Sequence, residues 1–372
     1  MKFSINKRNI SNEFQIITDI AQKNTTNDII SNLLIITDKN NSKVFFKVTN
    51  FELTFEFKID AEVEENGKIC VNAFHFTSVV RESQEETIHF ELKDNNWILI
   101  KIKNSKLKLP GLDINLFPDV FFDDLPNSFF IPWKEWQREV AQVFFAIGDN
   151  PSRKNLTGMN LKVFTQGIKL LASDAYRMAI SDIKLENQVE GSEGDLIIPK
   201  KNLQDFRKLS NEDEKNIKIS FSDRFFQMET EKFKMKSSLI EAAFPDLTKL
   251  LFEEAKYKIK FYVADLIKLL KLLKIFMSDI NPSTKITFEG NKMTIESEKN
   301  DVGESVHNLE CIYDGERISV GFNIRFLSET LTVFEKEKEV ELKFNNPGAP
   351  VIISSQGMEN YKSVVMPMRI EW

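Results

Sequence analysis

Short runs in which apolar and polar side chains alternate recur along the whole chain. Leu53, Phe55, Phe57 and Ile59 alternate with Thr54, Glu56 and Lys58, and Ile98, Ile100 and Ile102 follow Trp97. Ile217, Ile219 and Phe221 repeat the pattern mid-chain, and Val340, Leu342 and Phe344 repeat it near the end. A period of two predicts strands with one buried and one wet face. Asp94-Asn95-Asn96, Gln166-Gly167 and Gly290-Asn291 separate neighbouring runs by few residues, so the sheets are expected to be largely antiparallel.

Between the strands the spacing changes to that of a helix. Ile10, Phe14, Ile17 and Ala21 form one stripe after the strand-like Met1–Ile5. Trp133, Trp136, Val140, Phe144 and Ile147 form a second, with Pro132 expected as its first helical residue. Leu266, Leu269, Leu270, Leu273 and Met277 form a third after Ile259-Lys260-Phe261-Tyr262-Val263. Shorter helices are predicted over residues 73–83, 201–209 and 324–334.

The order strand, helix, strands is thus run through three times, and the chain carries a matching repeat. Leu116-Phe117-Pro118-Asp119-Val120 resembles Ala243-Phe244-Pro245-Asp246-Leu247, with Val365-Met366-Pro367-Met368 as a third relative. The prolines lie 127 and then 122 residues apart, which divides the 372 residues into near thirds. The reading is an α+β fold of three similar domains, 1–126, 127–252 and 253–372, each with antiparallel sheets and two helices on one face.

Composition narrows the chemistry. Hydrophobic residues are 42% and charged residues 28%, with 32 Phe against 5 Tyr and 4 Trp, so Phe-rich cores are expected. Only 13 glycines occur and no two lie two apart, which excludes a G-x-G dinucleotide turn; no phosphate-cradling G-x-x-x-x-G-K-[ST] segment exists. His75, His89 and His307 lie outside any H-E-x-x-H frame. Cys70 and Cys311 are 241 positions apart, which suits two core residues in a reducing cytosol and provides no metal pair. No cofactor or metal is expected, and the apolar runs fall short of the ~20 residues a membrane span needs. Carboxylates at Asp123-Asp124 or Asp174 leave a carboxylate-dependent enzyme as an alternative, and a repeat scaffold binding only proteins is another.

The net charge of −6 argues against a chain coated in nucleic acid, but its cations are gathered on the helices. Lys268, Lys271 and Lys274 lie opposite the leucines of the third helix; Lys7, Arg8 and Lys23 belong to the first, Lys134 and Arg138 to the second. The halfway helices add Arg81, Lys200, Lys201, Arg207, Lys208 and Arg325, while Glu62-Val63-Glu64-Glu65, Glu212-Asp213-Glu214 and Glu253-Glu254 lie elsewhere. Two readings stay open from the residues: ordinary solvated helix faces, or a cationic helical face that meets a phosphate backbone without reading bases.

Several segments resemble one family. Leu171-Ala172-Ser173-Asp174-Ala175-Tyr176-Arg177-Met178-Ala179 is similar to its A-T-D-G/S-H/Y-R-L-A segment, and Tyr361-Lys362-Ser363-Val364-Val365-Met366-Pro367-Met368-Arg369-Ile370 to its Y-V-V-M-P-M-R-L terminus. Met1-Lys2-Phe3, Asn32-Leu33-Leu34, Leu156-Thr157-Gly158-Met159, Phe244-Pro245-Asp246 and Gly321-Phe322-Asn323 fall in matching order. The family is the bacterial sliding clamp, the beta subunit of DNA polymerase III, and the resemblance runs end to end.

The resemblance implies a non-catalytic processivity factor: a head-to-tail homodimer whose helices line a ring around duplex DNA, two per domain, with sheets outside. It implies sequence-independent DNA contacts at Arg81, Lys134, Arg138, Lys154, Lys200, Lys201, Lys268 and Lys271. A groove for client peptides would comprise Leu156, Ser173, Ala175, Tyr176, Arg177, Met178, Pro245, Lys249 and Leu250, completed by Asn323, Phe326, Val364, Met366, Pro367, Met368 and Arg369. The implied partners are the polymerase III alpha subunit, the clamp loader delta subunit, and other polymerases and repair proteins carrying clamp motifs. Phe276 and Met277 of one subunit would meet Lys106 and Leu107 of the next. Two departures stand out: Asn24-Thr25-Thr26-Asn27-Asp28 replaces the family's Arg-Pro-Thr-x-Pro stretch, and Glu371-Trp372 extend past the usual end, which places Trp372 near the groove mouth.

Overall fold

The computed structural model describes residues 1–10, 12–21, 28–209, 216–276, 282–298, 303–335, 337 and 339–370. Expectations for residues 24–27, for Met277 and for Glu371-Trp372 therefore lie outside the described residues, as does the side chain of Phe276. Six α-helices occur among the described residues: α1 Glu13–Ile20, α2 Ala73–Glu82, α3 Trp133–Phe144, α4 Lys200–Lys208, α5 Val263–Leu273 and α6 Ile324–Thr332. They alternate with strands whose described ladders are antiparallel.

By internal contacts the chain forms two compact units, each holding one outer third and part of the middle third. The first comprises Met1–Gln137, Glu186–Gly194 and Ile198–Leu239; the second comprises Arg138–Leu185, Asp195–Ile197 and Ile240–Trp372. Sheet continuity explains the division. In the first unit the strand Leu53–Asp60 pairs with Phe233–Ser238 within a 13-stranded sheet, with Phe57 opposite Phe233 and Thr54 opposite Lys236. In the second, Arg177–Lys184 pairs with Tyr361–Val365 within an eight-stranded sheet, with Met178 opposite Val364. A separate four-stranded sheet contains Ser283–Glu289 and Ile318–Asn323.

The alternating strands deliver the expected phenylalanine core. Phe14 of α1 sits edge-on to Phe46, Phe57 and Phe76, with ring centroids 5.2, 5.8 and 5.9 Å away. Such rings add about 0.5–1.5 kcal/mol per pair to their burial. The Thr18 hydroxyl donates to the Phe14 carbonyl at 2.8 Å and lies 2.9 Å from the Thr77 hydroxyl, so polar groups between α1 and α2 are satisfied internally. In the middle third, Trp136 stacks on Phe226 at 5.9 Å. Cys70 and Cys311 are buried free thiols, and burial pushes the Cys70 thiol up to about 12, so it stays protonated.

Local boundaries depart from expectation at three places. Pro132 ends the strand Asn127–Pro132, opposite Asn216, and does not open the helix; this strand terminates its sheet, where a missing N–H donor is tolerated. Ile10 and Ile147 fall outside α1 and α3, although Ile147 is still buried. The turn at Gly290-Asn291 conforms: φ values of 52° and 62° give the left-handed pair that a two-residue hairpin needs.

Candidate functional site

The site is organised by the turn between the strands Gly167–Ser173 and Arg177–Lys184. The Asp174 carboxylate accepts from the backbone N–H groups of Tyr176 at 2.9 Å and Arg177 at 3.0 Å. The Ser173 hydroxyl donates to the Arg177 carbonyl at 2.8 Å and accepts from the Ala175 N–H at 3.1 Å. Asx and Ser side chains fold short loops through such bonds. Ala175 takes φ 77°, a left-handed conformation that costs a side-chain-bearing residue about 1–2 kcal/mol.

This turn sends consecutive side chains in opposite directions. Tyr176 is thrown outward, 57% exposed, and stacks on Phe326 at 5.8 Å between ring centroids. Arg177 goes inward and is only 7% exposed. Its Nε donates to Asp174 Oδ2 at 3.1 Å, Nη1 to Glu329 Oε2 at 2.6 Å and Nη2 to the Phe145 carbonyl at 2.8 Å. The guanidinium also lies over the rings of Phe145 and Phe326, at 5.1 and 4.7 Å. Arg177 thus belongs to the scaffold beneath Phe326, and Tyr176 offers the exposed face.

The floor is apolar. Met178, Ile352 and Val364 are buried together, with Leu247, Leu251 and Phe252 packed on them half-buried. Leu156 is buried nearby in sequence register, its carbonyl accepting from the Gly148 N–H at 2.9 Å. Pro245 and Leu250 are half-buried and Lys249 is exposed, in a segment started by Asp246, which accepts from the Thr248 hydroxyl at 2.6 Å. Asn155 holds this segment by donating to the Ala243 carbonyl at 3.2 Å.

The C-terminal segment supplies the remaining wall. The Met366 N–H donates to the Tyr176 carbonyl and the Met368 N–H to the Gly321 carbonyl, both at 2.8 Å. Met366, Pro367 and Met368 are half-buried and Arg369 is exposed. Gly321 permits the approach, since an added Cβ would sit 2.5 Å from the Met368 carbonyl oxygen. Asn323 caps α6, accepting from the N–H groups of Arg325 at 2.9 Å and Phe326 at 3.3 Å, and so aims Phe326 at Tyr176.

The equivalent join in the first unit has the same register and different chemistry. There Thr54 and Lys236 occupy the positions of Met178 and Val364. Lys236 donates to the Phe121 carbonyl at 3.0 Å and pairs with Asp123, and Lys47 donates to the Val120 carbonyl at 2.5 Å. The segment after Pro118 is therefore tied down by charge, whereas the second unit's join presents the apolar floor of Met178, Ile352 and Val364. Asp123 and Asp174, the carboxylates considered for catalysis, are engaged by Lys236 and by the Arg177 turn.

The eight cations expected to meet phosphate occupy helices or a helical turn. In the first unit Arg81 is on α2, Lys134 starts α3, and Lys200 and Lys201 start α4; Lys200 is half-buried and the others exposed. In the second, Arg138 is on α3, Lys154 in the 3-10 segment Pro151–Leu156, and Lys268 and Lys271 on α5, all exposed. Arg81 meets Glu82 at 3.2 Å, Arg138 meets the buried Glu139 at 2.7 Å, and Lys268 meets Asp265 at 3.8 Å. Lys106 and Leu107 are exposed on the strand Ser105–Leu112. Among the described residues no group of three His, Cys, Asp or Glu side chains is placed to hold a metal ion. No helix among them is long and apolar enough to cross a membrane.

Sequence reasoning missed Glu329, Phe145, Leu251, Phe252 and Ile352. Glu329 looks from spacing like an ordinary helical partner of Arg325, four residues earlier, which it also is at 3.1 Å. No signal in the sequence announces its second bond to Arg177.

Known proteins place this architecture in the sliding-clamp fold. A Bacillus subtilis DNA polymerase sliding clamp structure superposes with a TM-score of 0.92 at 21% identity, covering all of this chain and 99% of that one. A Thermotoga maritima DNA polymerase III beta subunit does so with a TM-score of 0.89 at 21%, covering 99% of each. Three family models match in series: the DNA polymerase III beta subunit N-terminal domain over residues 1–121, its central domain over 130–246 and its C-terminal domain over 248–369. The chain belongs to the DNA polymerase III beta subunit family. Among curated relatives it is similar to the beta sliding clamps of Lactococcus lactis, 24% identical over 99% of both chains, and Chlamydia pneumoniae, 24% over 100% of this chain and 99% of that one.

Proposed function

We propose that the protein is a DNA replication processivity factor: two copies joined head to tail close around duplex DNA and hold client proteins through the Tyr176–Met368 groove. The support is the sequence repeat around Pro118, Pro245 and Pro367, the three DNA polymerase III beta subunit domain models matched in series, and the exposed cations carried on helices. Domain limits at residues 127 and 253 follow from that repeat. If each domain turns the chain by about 60°, three turn it half a circle, and two identical subunits close through heterologous contacts. Encirclement retains DNA topologically, so weak, mobile Lys and Arg contacts suffice and a net charge of −6 is compatible with a DNA partner.

The groove suits short linear peptides with apolar anchors. Its floor gains ~25 cal/mol per Å² of apolar area covered, and flexible methionine side chains let one surface accept several client motifs. The polymerase alpha subunit, the clamp loader delta subunit and repair polymerases would compete for it. Any nucleotidyl transfer belongs to the tethered polymerase, and the work is done in the cytosol.

The test is topological. Loaded onto nicked circular DNA by a clamp loader, the protein is retained through gel filtration, and cutting that DNA once releases it. Equal retention on circles and linear molecules would sink the ring, leaving an electrostatic binder or a protein-only scaffold.

A further inference from the structure

We propose that Lys208 is a charge latch between two domains: it fixes α1 of the first third on α4 of the middle third, and withdrawing its positive charge frees the two helices from one another. α1 lies within the stretch matched by the N-terminal domain model and α4 within that matched by the central one. Both helices belong to the first unit, so the join lies inside one compact body.

The latch has one cation at its centre. Lys208 Nζ donates to Asp19 Oδ2 on α1 at 2.9 Å and to Asp205 Oδ1 on its own helix at 2.7 Å. Asp205 is only 4% exposed, while Lys208 and Asp19 keep about a third of their side chains in water. Exposed ion pairs contribute little, but a carboxylate buried this deeply needs a partner, and Lys208 supplies it. Burial pushes the Asp205 carboxyl above its ordinary value; Lys208 and then Lys201 oppose the rise, and the Asp19 charge adds to it. Asp19 and Asp205 thus repel each other and are held together by a shared ammonium. Neutralising that one group turns attraction across the join into repulsion.

The backbone of the same residue is gripped as well. The last carbonyls of a helix have no partner within it, and those of α4 find theirs on other helices. Asn12 Nδ2, at the start of α1, donates to the Lys208 carbonyl at 3.1 Å, and Gln137 Nε2 on α3 donates to the Leu209 carbonyl at 2.7 Å. Gln15 Nε2 steadies the Asp19 carboxylate from within α1, donating to its Oδ1 at 2.9 Å. α1 therefore holds Lys208 at both ends, and only the ammonium end depends on charge.

The repeat supplies an internal reference. By chain order α3 and α6 correspond in the second unit to α1 and α4 in the first, yet a cavity of about 750 Å³ is lined by both. They are linked through Arg177, which donates to the Phe145 carbonyl just beyond α3 and to Glu329 of α6. Loss of the Lys208 charge should loosen the first join and leave α6 as it was. In the ring of the proposed function the latch would fix the bend between first and middle domains; that consequence rests on the ring, and the latch itself does not.

The test is hydrogen exchange read by mass spectrometry on the full chain, over 13–20, 200–208 and 324–332. Lys208→Met is expected to speed exchange at least about threefold over 13–20 and 200–208 and to leave 324–332 unchanged. Lys208→Arg keeps the charge and is expected to stay within about twofold of wild type. Asp19→Lys combined with Lys208→Asp moves the cation to α1 and still sets it between two carboxylates, so exchange should return to within about twofold of wild type. Wild-type exchange in Lys208→Met would overturn the latch. So would exchange in Lys208→Arg as fast as in Lys208→Met, or no recovery in the double variant. No DNA, peptide or dimer enters these readouts, so their failure is separate from failure of the proposed function.

Discussion

Arg177 and Glu329 show how much of the groove rests on single ionised groups away from its surface. Burial pushes the Glu329 carboxyl up, but the hydrogen bonds and charges of Arg177 and Arg325 outweigh it and hold the group below its ordinary value. A carboxylate depressed on folding stabilises the folded state above the ordinary range, about 4.3, and that contribution fades as the pH falls through the lower folded value. Glu329→Gln is therefore expected to flatten the acid limb of a stability–pH profile by up to about 1 kcal/mol, discounted for the one-third exposure of the side chain. Parallel limbs for wild type and variant would contradict this. At Ala175 the left-handed φ is borne by a residue with a Cβ. Ala175→Gly relieves about 1–2 kcal/mol of strain against about 0.5–1 of added chain entropy, so denaturant titration should show a variant as stable as wild type or up to about 1.5 kcal/mol more. Marked destabilisation would mean the turn needs the methyl group for packing.

Among elements, the segment 366–370 is the one most exposed to change, because it is joined to the four-stranded sheet through the isolated pairing of Gly321 with Met368. A Cβ at Gly321 would meet the Met368 carbonyl and the Ile370 side chain. Gly321→Ala is expected to displace this wall at a cost of about 1–3 kcal/mol. The Met368 amide should exchange faster while amides of the strand Gly167–Ser173 keep their protection; unchanged exchange at Met368 would show that the tail accommodates the methyl. The two sheet joins carry the complementary lesson. Strand periodicity in Leu53–Ile59 and in Ile217–Phe221 made these elements legible, and the repeat around Pro118 and Pro245 made the joins comparable. Opposite chemistry at equal register, Thr54 with Lys236 against Met178 with Val364, appears only once the partner strands are known.

For the whole molecule the measurable quantity is assembly. Charge substitutions at Phe276 and Met277, or at Leu107, are expected to turn a species of twice the chain mass into one of the chain mass by light scattering. A dimer that survives all three would remove this contact from the ring. Loss of the dimer should also abolish retention on circular DNA without changing peptide binding, since the described groove residues all belong to the second unit.

Sequence alone determined the number of modules, the strand and helix order and the apolar cores, because each is written in local periodicity or in a repeat. It misplaced Pro132, whose fixed φ suits a helix start and a strand end equally until a neighbouring strand decides. Only the tertiary structure decided that Arg177 would be buried beside Glu329 and Phe145, that Tyr176 would face outward on Phe326, and that a cavity would open behind them. Those outcomes depend on the Arg177 guanidinium being brought within hydrogen-bond reach of a backbone carbonyl 32 residues away and a carboxylate 152 residues away, and no local pattern records which distant partner a guanidinium will find.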